Sequence, residues 1–327
     1  MDDRLSFIAD VPLFSGIPER ELEEVARVMR TVELDAGDLL FREGEEADGL
    51  HVLEQGLVQA CRRLPGGGEL EYARLGPGDV LGEIPLLDGG LRSGSVRALE
   101  PTRAVFLARA DFTALVSRLH PTAFAIKRQI LKHACGRLRL SHGALAESLD
   151  GRSQAAEPSS ASLPLTEAGP GDFPDGRPPD GAYVLRLPFF RSYGEPEFAE
   201  LLESCSLAVV PAGRPILQEG EAASSCYVTL NGAVEEVIRR GSDSVRVRLC
   251  GPGRAFGYVG LIDGLPSTVS IMTRERSLLL VVPGGRFEAL FNGGTISSYV
   301  FFNAVERDLM TGLRQSQAPH ARLAAAR

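Results

Sequence analysis

Residues 82–98 read GEIPLLDGGLRSGSVRA, and the rest of the chain is best interpreted from this segment. Its glycines permit left-handed backbone, so that successive amide N–H groups can point at one spot and form a nest for an anion. Arg92 adds a permanently charged guanidinium that suits the paired oxygens of a phosphate. Glu83 would repel an adjacent phosphate, but it can accept hydrogen bonds from a sugar hydroxyl. Phosphate and sugar recognised together indicate a nucleotide, although the segment alone also fits an ordinary turn with a solvated Glu and Arg.

The segment resembles the phosphate-binding cassette of cyclic nucleotide-binding domains. This family includes catabolite activator proteins, regulatory subunits of cyclic-AMP-dependent kinase and cyclic-nucleotide-gated channels. The resemblance lies in the Gly-Glu pair, the apolar positions after it, the turn and the Arg-Ser-x-Ser-Val-x-Ala run. It implies that Arg92 grips the cyclic phosphate with help from Ser93. Glu83 is then expected to hold the ribose 2′-hydroxyl, and Ser95 to lie near the purine. The expected ligand is cyclic AMP or cyclic GMP, with no cofactor and no metal ion. The expected ligand-binding residues are Gly82, Glu83, Ile84, Arg92, Ser93 and Ser95.

The same pattern of turns occurs twice in the chain. Gly37 and Gly56 recur 176 positions later as Gly213 and Gly232, and the Gly-Pro-Gly run at 76–78 returns at 251–253. Short strand-like segments lie between these glycines, a spacing typical of a sandwich or jelly roll. We therefore predict a mainly β protein with flanking helices. It contains two double-stranded β-helix (jelly-roll) barrels, each with N-terminal and C-terminal helices, joined by a flexible linker.

Composition sets the expected domain boundaries. Residues 1–142 form a cyclic nucleotide-binding domain that ends in a lid helix from 121 to about 142. Residues 143–181 are rich in Pro, Gly and Ser and are predicted to be a linker without a core of its own. Residues 182–315 form a second, degenerate domain of the same kind, and residues 316–327 form a frayed tail.

The second repeat lacks both charged ligands of the first. Gly257-Tyr258 stands opposite Gly82-Glu83, and Ser267 stands opposite Arg92. Losing one partner of a buried charge pair costs about 2–5 kcal/mol, so we expect weak or no cyclic nucleotide binding there. Tyr258 either recognises another ligand by stacking or through its hydroxyl, or packs with Ser267 in a capped turn. The expected degenerate pocket comprises Gly257, Tyr258, Ser267 and Thr268.

Charge argues against direct DNA binding. The formal net charge is −8, whereas a nucleic-acid-binding surface is basic. The linker also occupies the place where a transcription factor of this family carries its helix-turn-helix. Arg239-Arg240-Gly241-Ser242 resembles a kinase-substrate sequence, but its position favours a charged hairpin turn. The basic positions of the predicted lid helix are interpreted as its solvated face; they are Lys127, Arg128, Lys132, His133, Arg137 and Arg139.

Catalysis, membrane insertion and secretion are not expected. Jelly-roll metal enzymes need a cluster of His and carboxylate ligands inside the barrel, and of the five histidines only His51 falls on a predicted strand. No apolar run reaches about 18 residues, and the chain starts without a basic leader or apolar signal core. The five scattered cysteines are typical of free thiols in a reducing compartment, which indicates the cytoplasm.

The sequence therefore predicts a non-catalytic cytoplasmic sensor that binds ligand in its first domain. Ligand would draw the cassette inward, moving Leu86 and Leu87 and repacking the lid helix. The signal would pass to an unidentified protein partner or to the second domain. The helices after the barrels would pair as a homodimer or as an intramolecular pseudo-dimer. Two alternatives remain: a scaffold in which both barrels are degenerate, and a relative of transcription regulators without its own DNA-binding domain.

Overall fold

A computed structural model describes residues 2–64, 67–150, 165–169, 172, 179–241 and 243–325. The chain divides into two compact units, Met1–Ile130 and Leu131–Arg327. This division falls inside a long helix, twelve residues before the domain boundary expected at 142.

The first unit contains helices at both ends and eight strands between them. It starts with α1 (Asp2–Asp10) and α2 (Glu19–Val28), which flank a 3-10 turn at Pro12–Phe14. A short helix, α3 (Glu83–Asp88), separates the sixth and seventh strands, and α4 (Arg109–Ser117) and the start of α5 (Pro121–Asp150) follow the eighth. The strands are β1 (Arg30–Leu34), β2 (Leu39–Phe41), β3 (Gly49–Gln55), β4 (Val58–Arg63), β5 (Glu69–Leu75), β6 (Val80–Leu81), β7 (Ser95–Ala98) and β8 (Thr102–Ala108).

These strands form two four-stranded antiparallel sheets. Their orders are β1-β8-β3-β6 and β2-β7-β4-β5. Alternating apolar side chains from both sheets meet in a common core, as expected for a sandwich. The central buried residues are Leu53, Val58, Ala60, Leu81, Val96 and Ala104.

The second unit repeats this arrangement. After the remainder of α5 come α6 (Gly181–Val184), a 3-10 turn at Pro188–Phe190 and α7 (Glu195–Leu202). Its barrel is followed by α9 (Gly284–Asn292) and α10 (Ile296–Ala325), and α8 (Val259–Asp263) stands where α3 stands in the first unit. The strands are β9 (Ser206–Val210), β10 (Pro215–Leu217), β11 (Ser225–Asn231), β12 (Val234–Arg240), β13 (Asp243–Cys250), β14 (Ala255–Phe256), β15 (Ser270–Thr273) and β16 (Ser277–Pro283).

The two barrels have the same topology down to their irregularities. The second pair of sheets runs β14-β11-β16-β9 and β10-β15-β12-β13, so every strand occupies the place of the strand eight before it. The register shift between Leu53 and Gln55 also recurs between Thr229 and Asn231. The predicted fold class, two jelly-roll barrels with flanking helices, is confirmed.

Helix α5 is longer than the lid helix predicted from the sequence. It continues through Gly143 to Asp150, where a linker was expected. Leu145, Ala146 and Leu149 are buried in the core of the second barrel, and this packing outweighs the cost of about 1 kcal/mol for glycine in a helix.

Only part of the remaining predicted linker lies within the described residues. Glu167 forms a β-bridge with Ala208, and the Ala168 N–H donates to the Leu207 carbonyl over 2.7 Å, so this segment extends the sheet beside β9. Residues 151–164, 170–171 and 173–178 lie outside the described part of the chain. The flexible linker therefore stays a prediction.

The chain is also more helical at its ends than the sequence analysis predicted. α1 precedes Pro12, and Arg4 holds it in place by donating from Nη1 to the Met29 carbonyl over 2.8 Å. α10 continues to Ala325, into the segment expected to be a frayed tail. Alanine and arginine make up seven of the twelve residues 316–327, and their high helix propensity favours the continuation.

Substitutions at two turn glycines, Gly56 and Gly37, test how closely the backbone packs at these turns. Gly56 and Gly37 have φ angles of +90° and +95°, so alanine at either position loses about 1 kcal/mol from backbone strain. A Cβ at Gly56 would also lie 2.7 Å from the Thr102 Cα, whereas one at Gly37 meets none of the described atoms within 4 Å. We predict that Gly56→Ala lowers the free energy of unfolding by about 3 kcal/mol and Gly37→Ala by about 1 kcal/mol. Urea unfolding measures both, and equal losses would contradict the close approach.

Candidate functional site

The cassette of the first repeat is built around two left-handed glycines. Gly82 precedes α3 with a φ angle of +80°, and Gly89 follows it with a φ angle of +67°. Glu83 is therefore the first residue of α3 and is half-buried, while Ile84 points into the protein interior. The two turns fix where the segment between α3 and β7 passes the mouth of the barrel.

Arg92 lies in that segment, and its guanidinium is almost completely buried at 3 % exposure. Its Nη2 donates to Asp48 Oδ1 over 2.8 Å and to the Gly49 carbonyl over 2.9 Å. Its Cζ lies 4.1 Å from the centroid of the Phe41 ring, a cation–π contact. A Cβ at Gly82 would collide with Arg92 Nη1, so glycine at that position admits the guanidinium.

The remaining donors of this guanidinium are not satisfied by the protein. Nε and Nη1 are buried and have no hydrogen-bond partner among the described residues. Burial lowers the pKa of Arg92, and the hydrogen bond that it donates to Asp48 offsets that effect in part. The Asp48 side chain is 74 % exposed, so water screens its charge. The guanidinium is thus a buried cation with two unsatisfied donors, and water screens the carboxylate that it contacts. Such an arrangement is suited to binding an anion.

The structure brings some of the predicted site residues together and not others. Gly82 touches the Arg92 guanidinium, and the charge of Glu83 is close enough to influence the pKa of Arg92. Ser93 is exposed, and its carbonyl accepts a long hydrogen bond of 3.4 Å from Arg62 Nε. The Ser95 hydroxyl accepts from the Glu43 N–H over 3.0 Å and so holds a neighbouring loop.

The sequence analysis missed three residues that surround Arg92: Asp48, Phe41 and His51. All of them precede Arg92 by more than 40 positions and reach it only through the fold. A comparison of the repeats gives one signal for Asp48. At the 176-residue offset its counterpart is Ser224, so the acid and Arg92 are both replaced by serine in the second copy.

His51 is buried on β3, between the rings of Phe41 and Phe106. Its ring centroid lies 4.6 Å from that of Phe106 and 6.0 Å from that of Phe41. Burial, followed by the charge of Arg92, lowers the pKa of His51 to about 4, and Asp48 opposes this shift. The imidazole is therefore neutral at physiological pH and adds no second cation to the site.

This pKa shift makes stability depend on pH. Between pH 6.5 and 4 the unfolded chain binds a proton at His51 that the folded chain does not, so the free energy of unfolding falls as the pH drops. Relative to His51→Gln, the wild type should lose about 2 kcal/mol more between pH 7.5 and 4.5. Urea unfolding at both pH values measures the difference. Parallel pH profiles for the two proteins would contradict a neutral buried imidazole.

The second repeat keeps the backbone of this site and changes its side chains. Ser267 occupies the place of Arg92, because both residues make the same pair of backbone hydrogen bonds to the loop after the second strand of their barrel. The Ser267 hydroxyl donates to the Val269 carbonyl over 2.7 Å, so it caps a turn. The shared hydrogen bonds join Arg92 to Gly44 and Glu45, and Ser267 to Gly220 and Glu221, over 2.8 to 2.9 Å.

Tyr258, which stands where Glu83 stands, turns away from the pocket. Its ring is fully buried, and its hydroxyl donates to Asp308 Oδ2 on α10 over 2.8 Å. Arg248 Nη1 also donates to Asp308, over 3.1 Å. Tyr258 therefore packs within the unit, as in the second of the two alternatives for this residue, and is not placed to stack on a ligand. Of the predicted degenerate pocket, Gly257, Ser267 and Thr268 line a common cavity.

The interpretation of the α5 basic positions as a solvated face is wrong for two of them. Lys127 is buried, and the Arg139 side chain is only 13 % exposed because it pairs with Asp263. Helical periodicity could not reveal this, since the partner lies 124 positions away. Lys132, His133 and Arg137 are exposed as expected.

The basic run at 239–242 lies at the end of a hairpin. Arg239 and Arg240 are the last residues of β12 and pair with β13. Arg240 forms a bidentate ion pair with Glu219 over 2.9 to 3.0 Å. Ser242 lies outside the described residues. The paired arginine agrees with a charged turn.

Tyr258 provides a test of the buried polar cluster in the second repeat. Tyr258→Phe removes the donor to a buried carboxylate and should lower the free energy of unfolding by about 1–2 kcal/mol. The matched control is Tyr183→Phe, because the exposed Tyr183 hydroxyl donates to the Leu230 carbonyl over 3.2 Å. Thermal or urea unfolding compares the two variants. A loss for Tyr258→Phe no larger than that of the control would contradict the buried hydrogen bond.

The first repeat combines a jelly-roll barrel of two paired sheets with a glycine-bounded cassette and a buried arginine. These features are typical of a cyclic nucleotide-binding domain. The model of the cyclic nucleotide-binding domain family matches residues 31–118 and 207–293, together more than half of the chain. The chain belongs to this family and contains two copies of the domain.

Three similar proteins each match part of this chain. Cyclic AMP receptor protein of Thermus thermophilus is 36% identical over 108 residues, which are 33% of this chain and 50% of that protein. A CRP-like cAMP-activated global transcriptional regulator of Mycobacterium tuberculosis is 29% identical over 140 residues, 43% of this chain and 61% of that protein. A cAMP-dependent protein kinase regulatory subunit of Emericella nidulans is 32% identical over 111 residues, 34% of this chain and 26% of that protein. The match spans 50 to 61% of the length of the first two relatives.

Solved structures resemble the chain at low overall similarity. The regulatory domain of Toxoplasma gondii PKA, crystallised with cAMP, matches with a TM-score of 0.35 and 17% identity, over 88% of this chain and 90% of that one. Thermus thermophilus Catabolite Activator Protein matches with a TM-score of 0.34 and 28% identity, over 42% of this chain and 71% of that one.

Two other kinds of site are absent from the described residues. Within the described residues, no group of three or more His, Cys, Asp or Glu side chains is placed to hold a metal ion. No helix in the same part of the chain is both long and apolar enough to cross a membrane.

Proposed function

We propose that this protein is a cyclic nucleotide sensor that binds 3′,5′-cyclic AMP or cyclic GMP in its first repeat. One observation carries the proposal: the buried Arg92 guanidinium, whose Nε and Nη1 have no acceptor among the described residues. An anion at this point would complete the donors' hydrogen bonds and compensate a charge that Asp48 only partly balances.

The other residues of the cassette take roles that their positions support. Glu83 is the first residue of α3, close enough to Arg92 to influence its pKa, and binds the ribose 2′-hydroxyl. Ser93 is exposed at the cassette and assists at the phosphate. Ser95 is the first residue of β7, is half-buried and contributes to reading the base.

The second repeat binds cyclic nucleotide weakly or not at all in this proposal. Ser267 offers a neutral hydroxyl where Arg92 offers a cation, and that hydroxyl already caps its own turn. The expected stoichiometry is therefore one nucleotide per chain.

The output of the sensor is regulatory, not catalytic. The names of the relatives, a cyclic AMP receptor, a cAMP-activated transcriptional regulator and a kinase regulatory subunit, support that role. Ligand binding moves the cassette and repacks α5, and a protein partner reads the change in the cytoplasm. Pairing of the long helices, as a homodimer or within one chain, stays a prediction.

The binding site is tested with one pair of variants. We expect saturable binding of a fluorescent cyclic nucleotide, followed by anisotropy and competed by unlabelled cyclic AMP or cyclic GMP. Arg92→Ala should weaken binding by about 100-fold, because the phosphate loses a buried charged partner. Ser267→Ala, the matched change in the second repeat, should leave the affinity within about two-fold of the wild type.

The alternatives give different results in the same assays. No binding by the folded wild-type protein would overturn the sensor and favour a scaffold with two degenerate barrels. Binding that survives in Arg92→Ala and disappears in Ser267→Ala would contradict the proposal, because the site would then lie in the second repeat. A gel shift with DNA that survives moderate salt would instead support a regulator that acts on DNA.

A further inference from the structure

The pocket of the second repeat is filled by a helix of the same chain. Gly257, Ser267 and Thr268 line a cavity of about 30 Å³, and Leu138, Arg139 and His142 of α5 line its other side. This is room for about two water molecules. A cavity of this size cannot hold a nucleotide between α5 and the cassette. A separate cavity of about 530 Å³ in the same unit, with Glu221, Ser224 and Tyr227 in its lining, has no α5 residue in its wall.

Arg139 fixes α5 to the turn that follows α8. Its Nε and Nη2 form a bidentate pair with the two carboxylate oxygens of Asp263 over 2.6 and 2.7 Å. Nη2 also donates to the Leu265 carbonyl over 3.0 Å, and Nη1 donates to the Pro266 carbonyl. The Arg139 and Asp263 side chains are 13 % and 10 % exposed. All three guanidinium nitrogens are therefore engaged, in contrast to Arg92.

A second polar contact and an apolar anchor follow along α5. His142 Nδ1 lies 2.8 Å from the Thr268 hydroxyl, one residue after Ser267. Leu145 and Leu149 then enter the core of the second barrel. The helix is held at three successive turns, which is the pattern of an amphipathic helix bound in a groove.

An acid lines this pocket where the first repeat has an alanine. In the pairing of β12 with β13, Glu236 stands opposite Arg248, where the first barrel pairs Ala60 with Ala73. Glu236 lines the cavity, so an acid replaces a small apolar residue at the pocket wall. Glu236 pairs with Arg248 over 3.5 Å, whereas the acid that attracts the guanidinium of Arg139 is Asp263.

We infer that the second repeat is a receptor for an amphipathic helix, the C-terminal half of α5 in its own chain, and that Arg139 is the residue it recognises. Asp263, at the end of α8, and two carbonyls of the turn that follows are presented to this arginine. The inference concerns the second repeat alone and does not depend on nucleotide binding in the first.

Hydrogen exchange of the full chain, read by mass spectrometry over residues 138–149, tests the inference. Arg139→Ala and Asp263→Ala should each accelerate exchange in this segment by about ten-fold or more, because each leaves a partly buried charge unpaired. The double variant should exchange more slowly than the product of the two single effects predicts, which is the signature of a direct pair. The exchange of charges, Arg139→Asp with Asp263→Arg, should restore protection to within about three-fold of the wild type.

The control is Lys132→Ala, an exposed cation on the same helix, which should change exchange by less than about two-fold. Equal, small effects of Arg139→Ala, Asp263→Ala and the control would overturn the inference. If Asp263→Ala does not fold, Asp263→Asn and Arg139→Lys, which keep the side-chain size, should still accelerate exchange. Protection that falls on dilution would also overturn it, because the bound helix would then belong to a second copy.

Nucleotide stoichiometry separates this inference from the proposed function. Two cyclic nucleotides bound per wild-type chain would overturn the inference and leave the sensor standing. No nucleotide bound, with the exchange effects as expected, would overturn the sensor and leave the inference standing.

Discussion

The architecture of the first repeat depends on a guanidinium buried at the mouth of a barrel. Taking Arg92 out of water is costly, and the screened carboxylate of Asp48 returns only part of that cost. Gly82 leaves the space that the side chain fills, and the ring of Phe41 covers one of its faces. These features leave two buried donors of Arg92, Nε and Nη1, without an acceptor among the described residues. Unsatisfied donors on a buried cation are typical of a binding site, whereas the donors of a structural ion pair are satisfied by the protein.

The second repeat shows what a complete arrangement looks like on the same backbone. Its buried cation, Arg248, is surrounded by the carboxylates of Glu236 and Asp308 and by the Tyr258 hydroxyl. Such a cluster fixes α10 against the barrel, because removing any one member would leave a buried charge or donor unpaired. One repeat therefore keeps an unsatisfied cation, whereas the other encloses a satisfied one. The topology is the same, and the difference in chemistry comes from a few side chains.

The sequence was sufficient for features that depend on local backbone. Turn glycines recur at a fixed offset, and the cassette carries Glu83 and Arg92 within a single loop, so the barrels and the charged pair could be predicted. Contacts between distant segments could not. Asp48 meets Arg92 across 44 positions, and Arg139 meets Asp263 across 124. The end of α5 was also misjudged at Gly143, because packing on the second barrel decides it and local propensity does not.

The free energy needed to break the Arg139–Asp263 pair limits how α5 could transmit a signal in the proposed sensor. Breaking a partly buried ion pair by removing one partner costs about 3–5 kcal/mol, whereas allosteric coupling between sites is typically about 1–3 kcal/mol. A ligand shifts a conformational equilibrium only by its difference in affinity for the two states. In the proposed sensor, a nucleotide in the first repeat with ordinary coupling would thus loosen the Arg139–Asp263 contact in part of the population without releasing the helix from every chain. Full release would require a binding partner that competes with Arg139 for Asp263.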